Sequence, residues 1–343
     1  VLGFKGKMMS VWKWVALLLI IALTTFVFVY VFMNVFMASE SLAEKDRKTY
    51  SLQLQRAADY LKANFNEDLK LVCESPDTAE FARTYWLVAD NLYASYALKP
   101  YYPEIAQEIS MQLRNVWGYR EDALHGILFN HKRVPSPACI TVQVTVEDRW
   151  PAYIVKTEKA TNKRLDIRDY ADRLCYKALI EAFHGNHSQA EHYFRKAVKL
   201  WDGKGLADRV YQKEGYYETY KLAMLYYTAK VLGKLDRLKF REKLLSIIFR
   251  LQADNGGFYT RYVWSEHGPK PLPGATTNTE TTSLVIIALT YTPESLKARQ
   301  SWPTWLHIAI LTTVTFIVSI LTVKRLKWRK IPFFSVKNLP IGW

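Results

Sequence analysis

Leu251-Gln252-Ala253-Asp254-Asn255-Gly256-Gly257-Phe258, followed by Thr277-Asn278-Thr279-Glu280-Thr281-Thr282 and the run Leu284–Leu289, decides the reading of this chain. Asp254-Asn255-Gly256-Gly257 supplies residues that tolerate positive φ, as a tight turn leaving a helix requires. Gln252 is placed to bond free carbonyls at that helix end. Thr277 and Glu280 have the spacing of a capping box that opens the next helix. The spacing therefore predicts an amphipathic helix over 237–252, a loop, and a second helix from 277 that is apolar on most faces. A helix apolar nearly all round belongs in a core, and an amphipathic one at its rim.

The same alternation runs outward from this pair. Helices are expected over 45–64, 82–98, 103–117, 168–184, 188–201 and 216–232, from apolar residues at near-helical spacing. Those over 82–98 and 216–232 are apolar, 168–184 is intermediate, and the others are rich in Lys, Arg and Glu. The fold class expected is all-α: an array of about four helical hairpins, each with an outer and an inner helix. One stretch departs from it. Ile140, Val142, Val144 and Val146 alternate with Thr141, Gln143, Thr145 and Glu147, a strand period. With Gly126–Phe129 and Tyr153–Val155 as flanking strands, residues 124–158 read as a small antiparallel β insertion.

A helix ending in Q-x-x-x-G-G-F, then a loop, then an apolar helix resembles the repeat of α/α toroids, the six-hairpin superfamily of squalene–hopene cyclases and protein prenyltransferase β-subunits. The match covers 237–292 best. Three phrases look like those of membrane-anchored archaeal proteins of this type: Thr84–Asn91, Tyr216–Ala223 and Asn278–Thr282. The catalytic signatures of the toroid enzymes are missing. There is no Asp-x-Asp-Asp, no Asp-Asp-x-x-Asp, and no cysteine in the Asp-x-Cys context of the prenyltransferase zinc site. There is also no His-Glu-x-x-His, no Cys-Gly-Glu-Gln and no phosphate-cradling loop. His184 and His187 are two donors where zinc wants three or four. No cofactor and no metal are expected.

The resemblance implies that the inner helices begin near one end of a central cleft. Those beginnings carry Tyr85, Trp86, Asp90 and Asn91; Tyr217, Glu218, Tyr220 and Lys221; and Asn278 and Glu280. Asp90, Glu218 and Glu280 are the catalytic candidates, and the others are binding candidates. Carboxylates among aromatic rings are what sugar chemistry asks for, with rings to stack on pyranose faces and two acids to work as a pair. Trp201-Asp202 and Asp208 are placed to join from the preceding loop. The structural reading of the same residues is equally concrete: first-turn acids answer the helix dipole, and Lys221 lies at i,i+3 from Glu218.

Composition sets the expected context. The chain has 343 residues and a formal charge of +15. Residues 1–13 and 324–343 are basic tails, and they flank apolar stretches at 14–37 and 303–323 long enough to span a bilayer as helices. Charge placement then predicts a two-pass cell-membrane protein with cytoplasmic termini and an extracytoplasmic body over 39–302. The basic excess is read as a lipid-facing feature rather than a nucleic-acid one, since no basic helix or RNA-type aromatic motif occurs. Cys73, Cys139 and Cys175 permit one disulfide or three buried thiols. Asn186-His187-Ser188 is a glycosylation sequon. The expected function is a membrane-anchored accessory or scaffolding protein that binds other membrane or surface subunits, or a glycan. A glycan-processing hydrolase, lyase or epimerase is the alternative, and a lipid or isoprenoid handler a third option.

Overall fold

The structure, a computed structural model, describes residues 41–76, 85–118, 124–129, 142–147, 154–160 and 169–293. The chain divides into compact units 1–291 and 292–343, and the fold below is that of the first. Among the described residues the α-helices are α1 Leu42–Thr49, α2 Ser51–Ala63, α3 Val88–Leu98, α4 Pro103–Asn115, α5 Ala171–Phe183, α6 His187–Lys199, α7 Arg209–Glu214, α8 Thr219–Val231, α9 Arg241–Arg250 and α10 Thr279–Thr290. The strands are β1 Phe65–Asn66, β2 Leu71–Val72, β3 Tyr85–Leu87, β4 Val142–Glu147, β5 Ile154–Ala160, β6 Tyr217–Glu218, β7 Arg261–Ser265 and β8 Gly268–Pro271.

Four helices form the centre. α3 packs on α10, α10 on α8 and α8 on α5, while the 3₁₀ segment Leu124–Phe129 bridges α5 back to α3. Tyr93 and Tyr176 complete that closure with hydroxyls 2.6 Å apart. α8 and α10 are buried along nearly their whole length, as their apolar composition requires. The outer helices cover them: α2 on α3 and α10, α4 on α3, α6 on α5, and α9 on α8. α4, α6 and α9 each follow in the chain the inner helix they cover, and α2 precedes α3.

The Gln252–Phe258 stretch joins the last hairpin to the first. Gln252 Nε2 donates to the Gln53 and Gly256 carbonyls, each at 2.8 Å. Arg56 donates to the Asp254 carbonyl at 3.0 Å. Gly256 has φ +92, and a Cβ there would run into the Arg56 carbonyl oxygen. Glycine is needed for both reasons.

Several expectations are corrected. Gly126–Phe129 is not a strand: it lies in a 3₁₀ helix whose Ile127, Leu128 and Phe129 are buried between α3 and α5. The β insertion is a three-stranded sheet in the order β3-β5-β4, with β3 parallel to β5; residues 130–141 and 148–153 lie outside the described residues. A second sheet, β6-β7-β8, occupies what reads as loop, with Ser265 paired to Gly268 across a two-residue turn. The helix expected over 45–64 breaks at Tyr50. The two-pass, membrane-spanning arrangement and its localisation are corrected as well. Among the described residues no helix is long and apolar enough to cross a membrane; the segments 14–37 and 303–323 lie outside the described residues.

Candidate functional site

Each inner helix begins from extended backbone, and each carries a carboxylate at its start. Asp90 is the third residue of α3, Asp172 the second of α5, Glu218 the N-cap of α8 and Glu280 the second of α10. Exposed helix N–H groups favour negative charge there. α10 begins one residue later than the expected capping box: Asn278 is the N-cap and accepts from Thr281 N at 2.8 Å. Thr277 instead accepts from Asn255.

Lys221 is the hub. It is 2% exposed, and its Nζ lies 2.6 Å from Asp208 Oδ2 and also pairs with Glu218 Oε2. Asp208 is held on every side: it accepts from Ala171 N at 3.1 Å and from Val210 N at 3.0 Å, so it caps α7 and ties it to α5. Burial lowers the Lys221 ammonium's pKa, but Asp172, Glu218 and Asp208 together outweigh it and the pKa stands above the ordinary lysine value. Burial raises Glu218, against Lys221. Burial likewise raises Asp172, whose Oδ1 is enclosed with no hydrogen-bond partner. The half-buried Tyr220 is pushed well upward, first by burial and then by Asp172, Glu218 and Glu280. Three inner helices thus aim carboxylates at one phenol. Across α10, Glu74 is raised by burial, while a hydrogen bond from Asn278 and the charge of Lys156 oppose the rise.

The binding candidates divide. Tyr220 and Lys221 stand in this cluster, and Asn278 serves as cap and as partner of Glu74. Trp86 is fully buried and offers no stacking face. Tyr217 is 3% exposed, stacks on Tyr211 and Tyr262, and donates to Asp202 at 2.5 Å. Asn91 is consumed by β2: its Oδ1 accepts from Val72 N at 2.6 Å and its Nδ2 donates to Val72 O at 2.9 Å. Tyr85 contributes backbone to β3, and its side chain lies outside the described residues. Asp90 is 4% exposed beneath the rim. Trp201 stacks on Phe240, and Asp202 organises its own turn.

Asp172 and Glu74 escaped the sequence reading. The signal for Asp172 was available: it follows Tyr170 at a helix start as Glu280 follows Asn278. Glu74 sits in a loop whose approach to α10 is wholly tertiary. Cys73 and Cys175 are buried and not joined to each other; Cys139 lies outside the described residues. Burial raises the Cys175 thiol to about 12. Asn186 is exposed and donates to Glu181 at 2.8 Å. Among the described residues no group of His, Cys, Asp or Glu is arranged to hold a metal ion. No protein-family model, curated protein or solved structure matches the chain.

Proposed function

We propose that this protein is a binding or scaffolding protein. Its ligand is a neutral or amine-bearing oligosaccharide, docked at the rim formed by the first turns of α5, α8 and α10. The observation that carries this reading is the Lys221 hub. Asp208 and Glu218 both spend their charge on Lys221, so the best-placed acids serve architecture rather than proton transfer. The half-buried Asp172 and Tyr220, which interact within the same cluster, are the groups offered to a ligand. With three carboxylates around one ammonium, the rim repels anions and favours hydroxyl or ammonium donors.

A second reading, glycan processing, is favoured by one feature. Asp172 carries an enclosed oxygen without a partner, and burial raises its pKa, the condition of a carboxyl group that donates a proton. Titration calorimetry against neutral, amino and acidic oligosaccharides separates the readings. Binding restricted to the first two classes, weakened about tenfold or ~1.4 kcal/mol by Tyr220→Ala and by Asp172→Asn, supports the proposal. Release of reducing ends from a bound oligosaccharide would move the protein to the enzyme reading. Binding by none of them would overturn both.

A further inference from the structure

A cavity of about 420 Å³ opens between α3 and α4, within the size range of small-molecule sites. The two helices are consecutive, and main-chain bonds from Tyr101 and Tyr102 to the Leu98 carbonyl close the turn between them. The floor of the cavity is Leu92, Ala106 and Leu113, each at most 6% exposed. Tyr96 forms a wall, held by a stacked contact with Phe129 at 3.5 Å between centroids and by edge-on contact with Tyr291 at 5.3 Å. Ser95 and Ser110 also line it, but their hydroxyls donate to the Leu92 and Ala106 carbonyls of their own helices, each at 2.8 Å. The middle of the cavity is therefore largely apolar.

Its ends are cationic. Lys99 caps the C-terminus of α3 beside the entry to α4, and Arg114 stands on the last turn of α4. Each answers the negative end of its own helix. The lining runs along α4 from Pro103 to Arg114, about 16 Å at 1.5 Å rise per residue, so the two cations stand at opposite ends of the cavity. Arg114 donates from Nε to the Ser110 carbonyl at 3.2 Å, which leaves its two Nη groups for a ligand. Among the described residues no carboxylate pairs with Lys99 or Arg114, and no acid lines the cavity. The neighbouring Glu108 is turned to Lys70 at 2.8 Å.

The geometry points to this cavity as the binding site of an elongated apolar dianion, a hydrocarbon chain with a carboxylate at each end. The chain lies on the Leu92, Ala106 and Leu113 floor against the Tyr96 ring, and its burial supplies affinity. The guanidinium fork of Arg114 takes one carboxylate through two parallel bonds, and the Lys99 ammonium takes the other. The two charges supply the choice of class: a neutral chain leaves both cations unanswered, a monoanion leaves one, and a diamine is repelled at both ends. None of the residues of the acidic rim takes part, so this site and the oligosaccharide reading stand or fall separately.

The test is calorimetric titration of the full chain with dodecanedioate, dodecanoate and dodecanediamine at low ionic strength. Dodecanedioate is expected to bind about threefold more tightly than dodecanoate, the scale of one exposed ion pair, and the diamine not to bind. Lys99 and Arg114 are exposed, so Lys99→Gln and Arg114→Gln should keep the circular dichroism of the wild type. Each should weaken dodecanedioate about threefold. Ser110→Phe, which fills the cavity and keeps both cations, should abolish binding of both acids. Equal binding of dodecanedioate to wild type and Ser110→Phe would mean adherence to basic surface at large and would overturn the inference. So would equal affinity for the dianion and the monoanion, or affinity unchanged in both glutamine variants, since the two cations would then only answer their helix ends. Binding of neither acid would overturn it outright.

Discussion

At one end of α8, Lys221 is gripped by Asp208 and Glu218 with Asp172 near by; at the other, Lys230 reaches one main-chain carbonyl beside a tyrosine ring. The two side chains have the same chemistry and the same helix; Lys221 is buried and Lys230 is part-buried. Carboxylates beside the first hold its proton, and their lack beside the second releases it. The difference follows from the direction of the four inner helices. Their N-termini share one rim, where main-chain N–H groups favour acids, and acids in turn retain a lysine. Their C-termini share the other rim, where carbonyls accept from an amine and aromatic rings fill the space. Parallel inner helices thus give one molecule two chemically opposed mouths.

The largest expected effect comes from removing the hub. Lys221→Met leaves Asp208 and Glu218 buried without their cation, which costs about 3–5 kcal/mol. At about 2–4 °C per kcal/mol for a body of this size, the melting temperature should fall by roughly 10 °C at pH 7. Acidification should shrink the deficit, because Asp172 and Glu218 have raised pKa values and take up protons readily. A deficit unchanged at pH 5 would break the electrostatic account. Asp208→Asn should cost less, about 2–3 kcal/mol, since asparagine still caps α7 and Glu218 still holds Lys221; urea denaturation measures it. An effect equal to that of Lys221→Met would mean the cap, not the charge, dominates.

Lys230→Met should act with the opposite sign. The folded pKa of Lys230 lies below its unfolded value, so between about pH 7 and 10.5 the unfolded chain binds more protons and wild-type stability rises with pH. At pH 7 the methionine variant should be more stable than wild type by roughly 2 kcal/mol, the linkage gain less the lost hydrogen bond, and the gap should close toward pH 10.5. Lys221, whose pKa is raised, contributes its stabilisation fully below the unfolded lysine value and loses it only above its own. Parallel pH profiles for the two variants would erase the distinction. Tyr176→Phe should have the smallest effect, about 1 kcal/mol, by leaving the Tyr93 hydroxyl without its partner at the α3–α5 closure.

Much of this arrangement is legible in the residues. The Gln252–Phe258 turn and the apolar run after Thr281 announce an outer and an inner helix, because glycine tolerance and a full apolar circumference are local properties. The Tyr216–Tyr220 stretch shows where the reading stops. Its composition suits a helix, yet Tyr217 and Glu218 pair with Tyr262 and Arg261 in β6, a partnership decided by residues far along the chain. Asn91 looks like a ligand contact in sequence and proves to be a clasp on Val72, since a buried amide goes to whichever main-chain groups lack partners. Asp172 was passed over although its position repeats that of Glu280, because one acid in an amphipathic helix carries no mark of where the neighbouring helices begin. The two apolar flanks, 14–37 and 303–323, read as membrane spans from length and hydropathy; they lie outside the described residues, among which no helix is long and apolar enough to cross a membrane.

The opposed states of the two lysines can be read directly by NMR of ¹⁵Nζ-labelled lysine across pH 5 to 11, with Lys221→Met and Lys230→Met supplying the assignments. The account predicts a Lys221 signal that stays in the ammonium position through pH 10 and a Lys230 signal that crosses to the amine near pH 7. Both signals crossing together above pH 10 would contradict it.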